Sequence, residues 1–409
     1  MDKGRLTRSI QTYLEELCVK LPHRHVGSSE NKQATTFFRK TAEANGLETE
    51  LQQFDCFDWY EQQALLTVGD VRFRCRVSPY SLPFTGNGEL VLVRTIDELA
   101  DSILDGHVVL LKGEIASQQI MPKNFVFFNP DEHKRIVSLL EEKQPAAIIA
   151  APGRDLGLAG GTYPFPLFED GDFDIPSVYM KDVESEQLAT YAGATVSLSF
   201  RSERIPSHGE NVIAKRLGSD SNRIVIAAHI DSKKDSPGAI DNATGVAVLL
   251  ALGECLSGTE GPCQIELTAL NGEDYYAVPG QMLYLAKNND RMESIRLAIN
   301  LDGAGYSGVP TAWSTYGADE MIEAAVGDTV DGETNFIVGE PWPQGDHMLF
   351  AMNGRPAIAL TTGDFSKVMD VTHTSEDTID IVDPAILAGI TIALKNLILR
   401  LEDKRIHDV

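Results

Sequence analysis

Cysteine is scarce and scattered. The five thiols, Cys18, Cys56, Cys75, Cys255 and Cys263, are odd in number and lack CxxC spacing. They imply neither a disulfide framework nor a thiolate zinc site. Positive charge is also short: 35 Lys and Arg stand against 60 Asp and Glu, a formal net charge of -25. Binding to a phosphate backbone needs clustered Lys and Arg, so no nucleic-acid partner is expected. The acidity favours solubility and weakly favours cationic ligands, and bound metal would offset part of it. No apolar stretch of about eighteen residues is read in the chain, so no membrane span or membrane partner is expected. The N-terminal stretch carries Asp2, Lys3, Arg5, Arg8, Glu15, Glu16 and Lys20. That is an amphipathic helix pattern rather than the apolar core of a signal peptide. A cytoplasmic protein is expected, with secretion left open because a leader can be removed before maturity. The chain also has no H-E-x-x-H metal motif.

What is present is an ordinary globular composition, 43% apolar and 23% charged over 409 residues. That length suits two domains, or one large domain with an insertion. Leu6, Ile10, Tyr13, Leu14 and Leu17 recur at helical spacing until Pro22. Ser28-Ser29-Glu30 caps a second helix that ends at Asn45-Gly46, and residues 47–57 read as extended. Residues 60–205 have a different texture of short apolar runs, turn-rich pieces such as 157–166, and one clear helix at 132–143. They read as a compact β-rich insertion with one or two helices, carrying no nucleophile elbow, phosphate loop or metal-ligand cluster. Residues 206–409 alternate strands (211–216, 223–228, 264–270, 296–301, 357–361) with helices (244–256, 280–288, 319–330, 384–402). The fold class is therefore α/β, with a mixed sheet covered on both faces. Residues 1–59 supply the first part of that domain, because two helices and a strand are too little for a domain of their own.

Chemistry-bearing residues gather where these strands end. His229 and Asp231 follow the first, and Asp241 precedes a helix. Glu273 and Asp274 follow the next strand, Asp302 follows another, and His373 lies in a late loop. Carboxyl ends of strands are where open α/β sheets place their sites. Singly each residue has a plain alternative: a capped strand end, a helix cap, a turn aspartate, a loop histidine. Together, imidazoles and carboxylates suit Zn²⁺ or a related divalent metal. Two nearby cations need one bridging carboxylate and one carboxylate left off the metals, and the pair Glu273-Asp274 can divide that labour.

The motifs His229-Ile-Asp231, Pro237-Gly-Ala-Ile-Asp241-Asn-Ala-Thr-Gly245, Gly272-Glu273-Asp274, Asn300-Leu-Asp302, Gly345-Asp346-His347 and His373-Thr-Ser-Glu-Asp377-Thr resemble metallopeptidase family 28, the co-catalytic zinc aminopeptidases and their relatives. Arg24-His-Val-Gly27-Ser-Ser-Glu-Asn31 resembles that family's opening, and the middle region resembles a protease-associated domain. The resemblance implies a three-layer zinc-peptidase fold and an aminopeptidase acting on peptide substrates with two Zn²⁺ ions. Asp241 would bridge them, His229 and Asp302 would complete one site, and Asp274 and His373 the other. Glu273 would be the general base, Asp231 would orient His229, and a cis peptide would fall at Asp241-Asn242. The chain departs from the family pattern twice. Asp274 stands where glutamate is common, which leaves one site weaker or open to another divalent metal. Thr372 stands where some members carry a tyrosine that assists the oxyanion. Asp346 and His347 read either as capping and packing or as pocket wall. Residues 313–316 and the loop 339–345, with Trp342, are candidate pocket lining. The alternatives are a carboxypeptidase, a glutaminyl cyclase-like enzyme using one zinc, or a silent peptide-binding homologue. Oligomeric state is left unassigned.

Overall fold

Ser28 begins the account of local structure: its side-chain oxygen accepts the Asn31 N–H at 3.0 Å and opens the helix Ser29–Ala44. That helix ends at Gly46, whose φ of 82° suits glycine. The computed structural model describes residues 2–126, 129–153 and 166–403; most of the turn-rich piece 157–166 lies outside them. The chain divides into two units, Met1–Cys56 with His208–Val409, and Phe57–Ser207.

The first unit is organised by an eight-stranded sheet in the order Glu48–Glu61, Ser202–Arg216, Gln264–Leu270, Arg223–His229, Ile295–Leu301, Ala357–Thr362, Thr311–Tyr316, Phe336–Val338. The four central strands, Gln264–Leu270, Arg223–His229, Ile295–Leu301 and Ala357–Thr362, run parallel, and antiparallel strands flank them. The sheet is thus mixed, as the alternation of apolar runs implied. Two strands, Thr311–Tyr316 and Phe336–Val338, were not foreseen; the second is three residues long, too short for a period to register.

Side-chain alternation assigns the layers. Along Gln264–Leu270, Ile265, Leu267 and Ala269 join the core shared with the helix Thr244–Leu256. Glu266 faces the other way, where Tyr284 of the helix Pro279–Asn288 reaches it at 3.3 Å. The helix Thr244–Leu256 is buried on nearly every side, which explains why it is apolar all round. Lys3–Leu14 and Pro384–Glu402 pack against it. These helices correct one expectation. Segments Ala239–Leu256 and Pro384–Glu402 do have the length and mean hydropathy of a membrane span. The first is 89% buried, so its apolarity belongs to a protein core.

The second unit has its own eight-stranded sheet and an apolar core on each face. Its strands Phe84–Val93, Val108–Lys112, Ala147–Ala151 and Ser177–Tyr179 form a parallel run. Helices at Ile96–Asp101, Asp131–Lys143 and Asp182–Ala189 bring the count to three among the described residues, against the one or two expected. The two short ones complete too few turns for an amphipathic stripe to stand out.

Candidate active site

His229 is the last residue of a fully buried parallel strand, and its side chain is 1% exposed. Its Nδ1 lies 3.2 Å from the Asp231 carbonyl oxygen, so Nδ1 carries the proton and Nε2 presents a lone pair. The Asp231 carboxylate is farther from the ring, at 3.7 Å. It is used elsewhere, accepting the N–H groups of Gly272 at 2.7 Å, Glu273 at 3.3 Å and Asp274 at 3.0 Å. Asp231 therefore seats the loop that carries Glu273 and Asp274, while its backbone orients His229. The motif His229-Ile-Asp231 by itself implies only the second task.

Asp241 is brought to the same point by the residue after it. Asn242 donates from Nδ2 to the Leu301 carbonyl at 2.7 Å and accepts the Gly245 N–H at 3.1 Å. A Cβ at Gly245 would lie 2.8 Å from the Leu301 oxygen and 2.6 Å from the Asn242 Oδ1, so this close approach requires glycine. The Asp241–Asn242 peptide is cis. On the far side, Asp377 accepts the Ile240 N–H at 2.7 Å and the Asp241 N–H at 3.1 Å. It thereby ties the loop of His373 to the loop of Asp241. Asn242 and Asp377 were quoted as motif letters without a task; their signal was the Asp-Asn step before a helix and the invariant need of buried amides for acceptors.

The side chains converge. His229 Nε2 is 3.0 Å from Asp241 Oδ1 and 3.7 Å from Asp302 Oδ1. His373 Nε2 is 3.2 Å from Asp241 Oδ2 and 2.8 Å from Asp274 Oδ1. Asp241 thus faces both imidazoles, one with each oxygen. One ligand atom each from His229, Asp241 and Asp274 lie within 4.8 Å of one another. The shorter Asp274 reaches the cluster because its backbone is drawn in by Asp231 and by Lys233, whose Nζ donates to the Asp274 carbonyl at 2.6 Å. His373 holds a φ of 62°, an uncommon conformation for a residue with a Cβ. Glu273 is half-buried beside these groups, close enough for its charge to interact with those of His229, Asp302, Asp274 and Asp346.

This donor set fits a divalent cation. His229 Nε2 and Asp274 Oδ2 are buried and have no hydrogen-bond partner, although carboxylates surround both. Buried polar atoms without partners call for an explanation such as an ion. The field agrees. Burial opposes charge on His373, yet Asp274 and Asp241 outweigh it and lift the ring to about 10. Burial would raise Asp241, but both imidazoles hold it far below the usual carboxylate range. Burial raises Asp302, with His229 opposing. Burial also raises Glu273 well above the ordinary range, and the neighbouring carboxylates add to it.

Beside the cluster, Asp346 is 4% exposed and accepts from Gln281 Nε2 at 3.3 Å; burial lifts its carboxyl to about 7. His347 is fully buried, and burial lowers its ring to about 4. The neutral ring donates from Nε2 to the Trp342 carbonyl at 3.0 Å and packs between Tyr316 and Trp342. Trp342 also meets Phe365, which is 42% exposed. Trp313, in the segment expected to line the pocket, is fully buried against Phe336. Thr372 donates its hydroxyl to the Val368 carbonyl at 2.8 Å, so that hydroxyl caps a helix turn instead of facing the cluster.

Residues 211–398 match the model of peptidase family M28. The match covers a little under half of the chain and lies wholly within the first unit. The M28 segment holds every member of the cluster from His229 to His373. A probable lipoprotein aminopeptidase of Mycobacterium tuberculosis is 24% identical over 285 residues, which cover 68% of this chain and 54% of the relative. The alignments to curated relatives thus span about half of their length or less. An aminopeptidase from Aneurinibacillus sp. strain AM-1 superposes with a TM-score of 0.76 at 21% identity, over 98% of this chain and 93% of that one. A zinc aminopeptidase from Bacillus subtilis gives 0.76 at 17% identity, over 97% and 96%. These structural likenesses show the mixed-sheet fold.

Proposed function

We propose that this chain is an M28-type, zinc-dependent aminopeptidase that hydrolyses the first peptide bond of substrates with a free amino terminus. The observation that carries the proposal is Asp241, whose two carboxylate oxygens face two imidazoles, each of which also faces a further carboxylate. In this reading two ions are held. His229 and Asp302 hold one, Asp274 and His373 the other, and Asp241 serves both. Bound zinc supplies Lewis-acid polarisation of the scissile carbonyl and acidifies water. Glu273 is left off the ligand set and is accessible enough to reach substrate. It takes the proton from the attacking water and delivers it to the leaving amine nitrogen. Asp231 holds Glu273 in place through the backbone of its loop, and fixes the tautomer of His229. The carboxylate-rich surroundings favour a cationic α-amino group, which selects an amino terminus over a carboxylate terminus. The half-buried Trp342 and the exposed Phe365 offer apolar contact to a substrate side chain. The inserted unit, read as residues 60–205 between catalytic segments 1–59 and 206–409, is taken as a protease-associated-like module; its separate sheet and core support this.

Incubating the zinc-loaded protein with matched peptides, free or acetylated at the amino terminus, tests the proposal. Stepwise release of N-terminal residues from the free peptides alone is expected. Cleavage confined to internal or C-terminal bonds, or cyclisation of N-terminal glutamine without hydrolysis, would overturn it.

A further inference from the structure

Arg24 is 0% exposed, and the chemistry proposed above makes no use of it. A buried guanidinium is tolerated only where its donors are satisfied. Here Nε donates to the Ile230 carbonyl at 3.2 Å, Nη1 to Leu17 at 2.6 Å, Leu21 at 3.4 Å and Pro237 at 2.8 Å, and Nη2 to Gly238 at 2.9 Å. Three of these five carbonyls belong to the loop between His229 and Asp241. The other two belong to the end of the N-terminal helical segment. The approach is close: a Cβ on Gly238, which has a φ of 58°, would lie 3.0 Å from Arg24 Nη2. Arg24 is itself held, since its own carbonyl accepts from Asn31 Nδ2 at 3.0 Å.

The loop 237–241 is therefore gripped from two sides. Its carbonyls go to Arg24, and its Ile240 and Asp241 N–H groups go to Asp377. Ammonium offers three donors from one point, whereas the guanidinium fork reaches separated acceptors in a fixed plane, which is why arginine suits this position. Without it, the Ile230 and Pro237 carbonyls lose the guanidinium donor and the Gly238 carbonyl keeps only the Ala243 N–H at 3.0 Å, so the loop must move to find water.

We propose that Arg24 is a positioning residue for the metal centre: its guanidinium fixes the loop that carries Asp241 and so sets the affinity of the site for metal. The inference rests on the zinc-peptidase reading, but its test reads metal binding and not turnover. Full-length wild type, Arg24→Lys and Arg24→Ala are titrated with Zn²⁺ by calorimetry, and with Co²⁺ by visible absorption. Folding is followed by circular dichroism. The expected result is zinc binding weakened by about 10- to 100-fold in folded Arg24→Ala, the usual range for groups that orient ligands. Arg24→Lys falls in between, the Co²⁺ bands change, and added methylguanidinium restores part of the affinity of Arg24→Ala. Wild-type zinc affinity and Co²⁺ bands in a folded variant would overturn the proposal. If Arg24→Ala does not fold, Arg24→Lys, which keeps the charge, decides by the same criteria. Wild type that binds zinc but cleaves no peptide defeats the peptidase reading and leaves the clamp to be judged by these affinities. Wild type that binds no zinc defeats both.

Discussion

The two units solve the same packing problem and differ at their strand ends. In the inserted unit, Val108–Lys112 and Ala147–Ala151 are buried throughout and exit in Lys112 and Ala151. Lys112 pairs with the exposed Glu186. In the first unit, Arg223–His229, Gln264–Leu270 and Ile295–Leu301 are likewise buried along most of their length. They exit in His229, in the Asn271-Gly272-Glu273-Asp274 loop and in Asp302. A parallel sheet is thus only a platform, and the residues just beyond it decide whether it carries chemistry. The buried polar groups follow suit. Those of the catalytic unit converge on one another, as His229, Asp241 and Asp274 do. In the second unit, buried polar residues such as Ser81 and Ser202 bond to backbone instead: Ser81 Oγ accepts the Ser177 N–H and Ser202 donates to the Ser81 carbonyl.

That contrast can be broken at three places. The largest effect is expected for Glu273→Gln, which keeps the shape but removes the base. The turnover number should fall by about 10²- to 10⁴-fold, while zinc stoichiometry measured by atomic emission stays unchanged. Unaltered turnover would remove Glu273 from its role. Next is Ile149→Ala in the inserted unit, where the residue is fully buried. The cavity should cost about 2–5 kcal/mol in the denaturant transition of that unit, with the zinc affinity of the other unit unchanged. A matching loss of zinc affinity would mean that the two units do not divide structure from chemistry in this way.

The smallest effect concerns His133, whose ring burial pushes below its ordinary value of 6.5. Its folded state prefers the neutral ring, so the unfolded chain binds more protons as pH drops below that value. The stability contributed by the neutral ring is therefore present at neutral pH and is lost as pH falls through the folded value. His133→Phe should flatten this acid-side slope in a series of denaturant melts. An unchanged slope would show that the ring is solvated.

Much of this organisation was legible in the chain. The order of strands and helices from residue 211 onward, the strands Thr311–Tyr316 and Phe336–Val338 and the short helices Met348–Ala351 and Phe365–Val371 aside, follows from apolar runs punctuated by glycine and polar clusters. The helix Thr244–Leu256 and the strand Gln264–Leu270 fall where those runs predict. The cluster was legible because strand ends gather along one edge of a parallel sheet, which brings distant positions such as 229 and 302 together. What was hidden depends on contacts without a period. Arg24 sits in a loop between two histidines and was read only as part of the opening motif, and tertiary structure alone shows it fully buried. Trp313 reads as a pocket residue because tryptophan is common in pockets, yet its strand places it inside the core. The second duty of Asp231 is hidden for the same reason: three amides from residues 272–274 reach it across the gap between two strands.

The central claim is that five side chains form a two-ion centre around Asp241. A crystal structure of the zinc-loaded protein, with anomalous scattering recorded at the zinc edge, tests it most directly. Two peaks are predicted, one among His229, Asp241 and Asp302 and the other among Asp241, Asp274 and His373. A single peak, or zinc bound away from Asp241, would contradict the account.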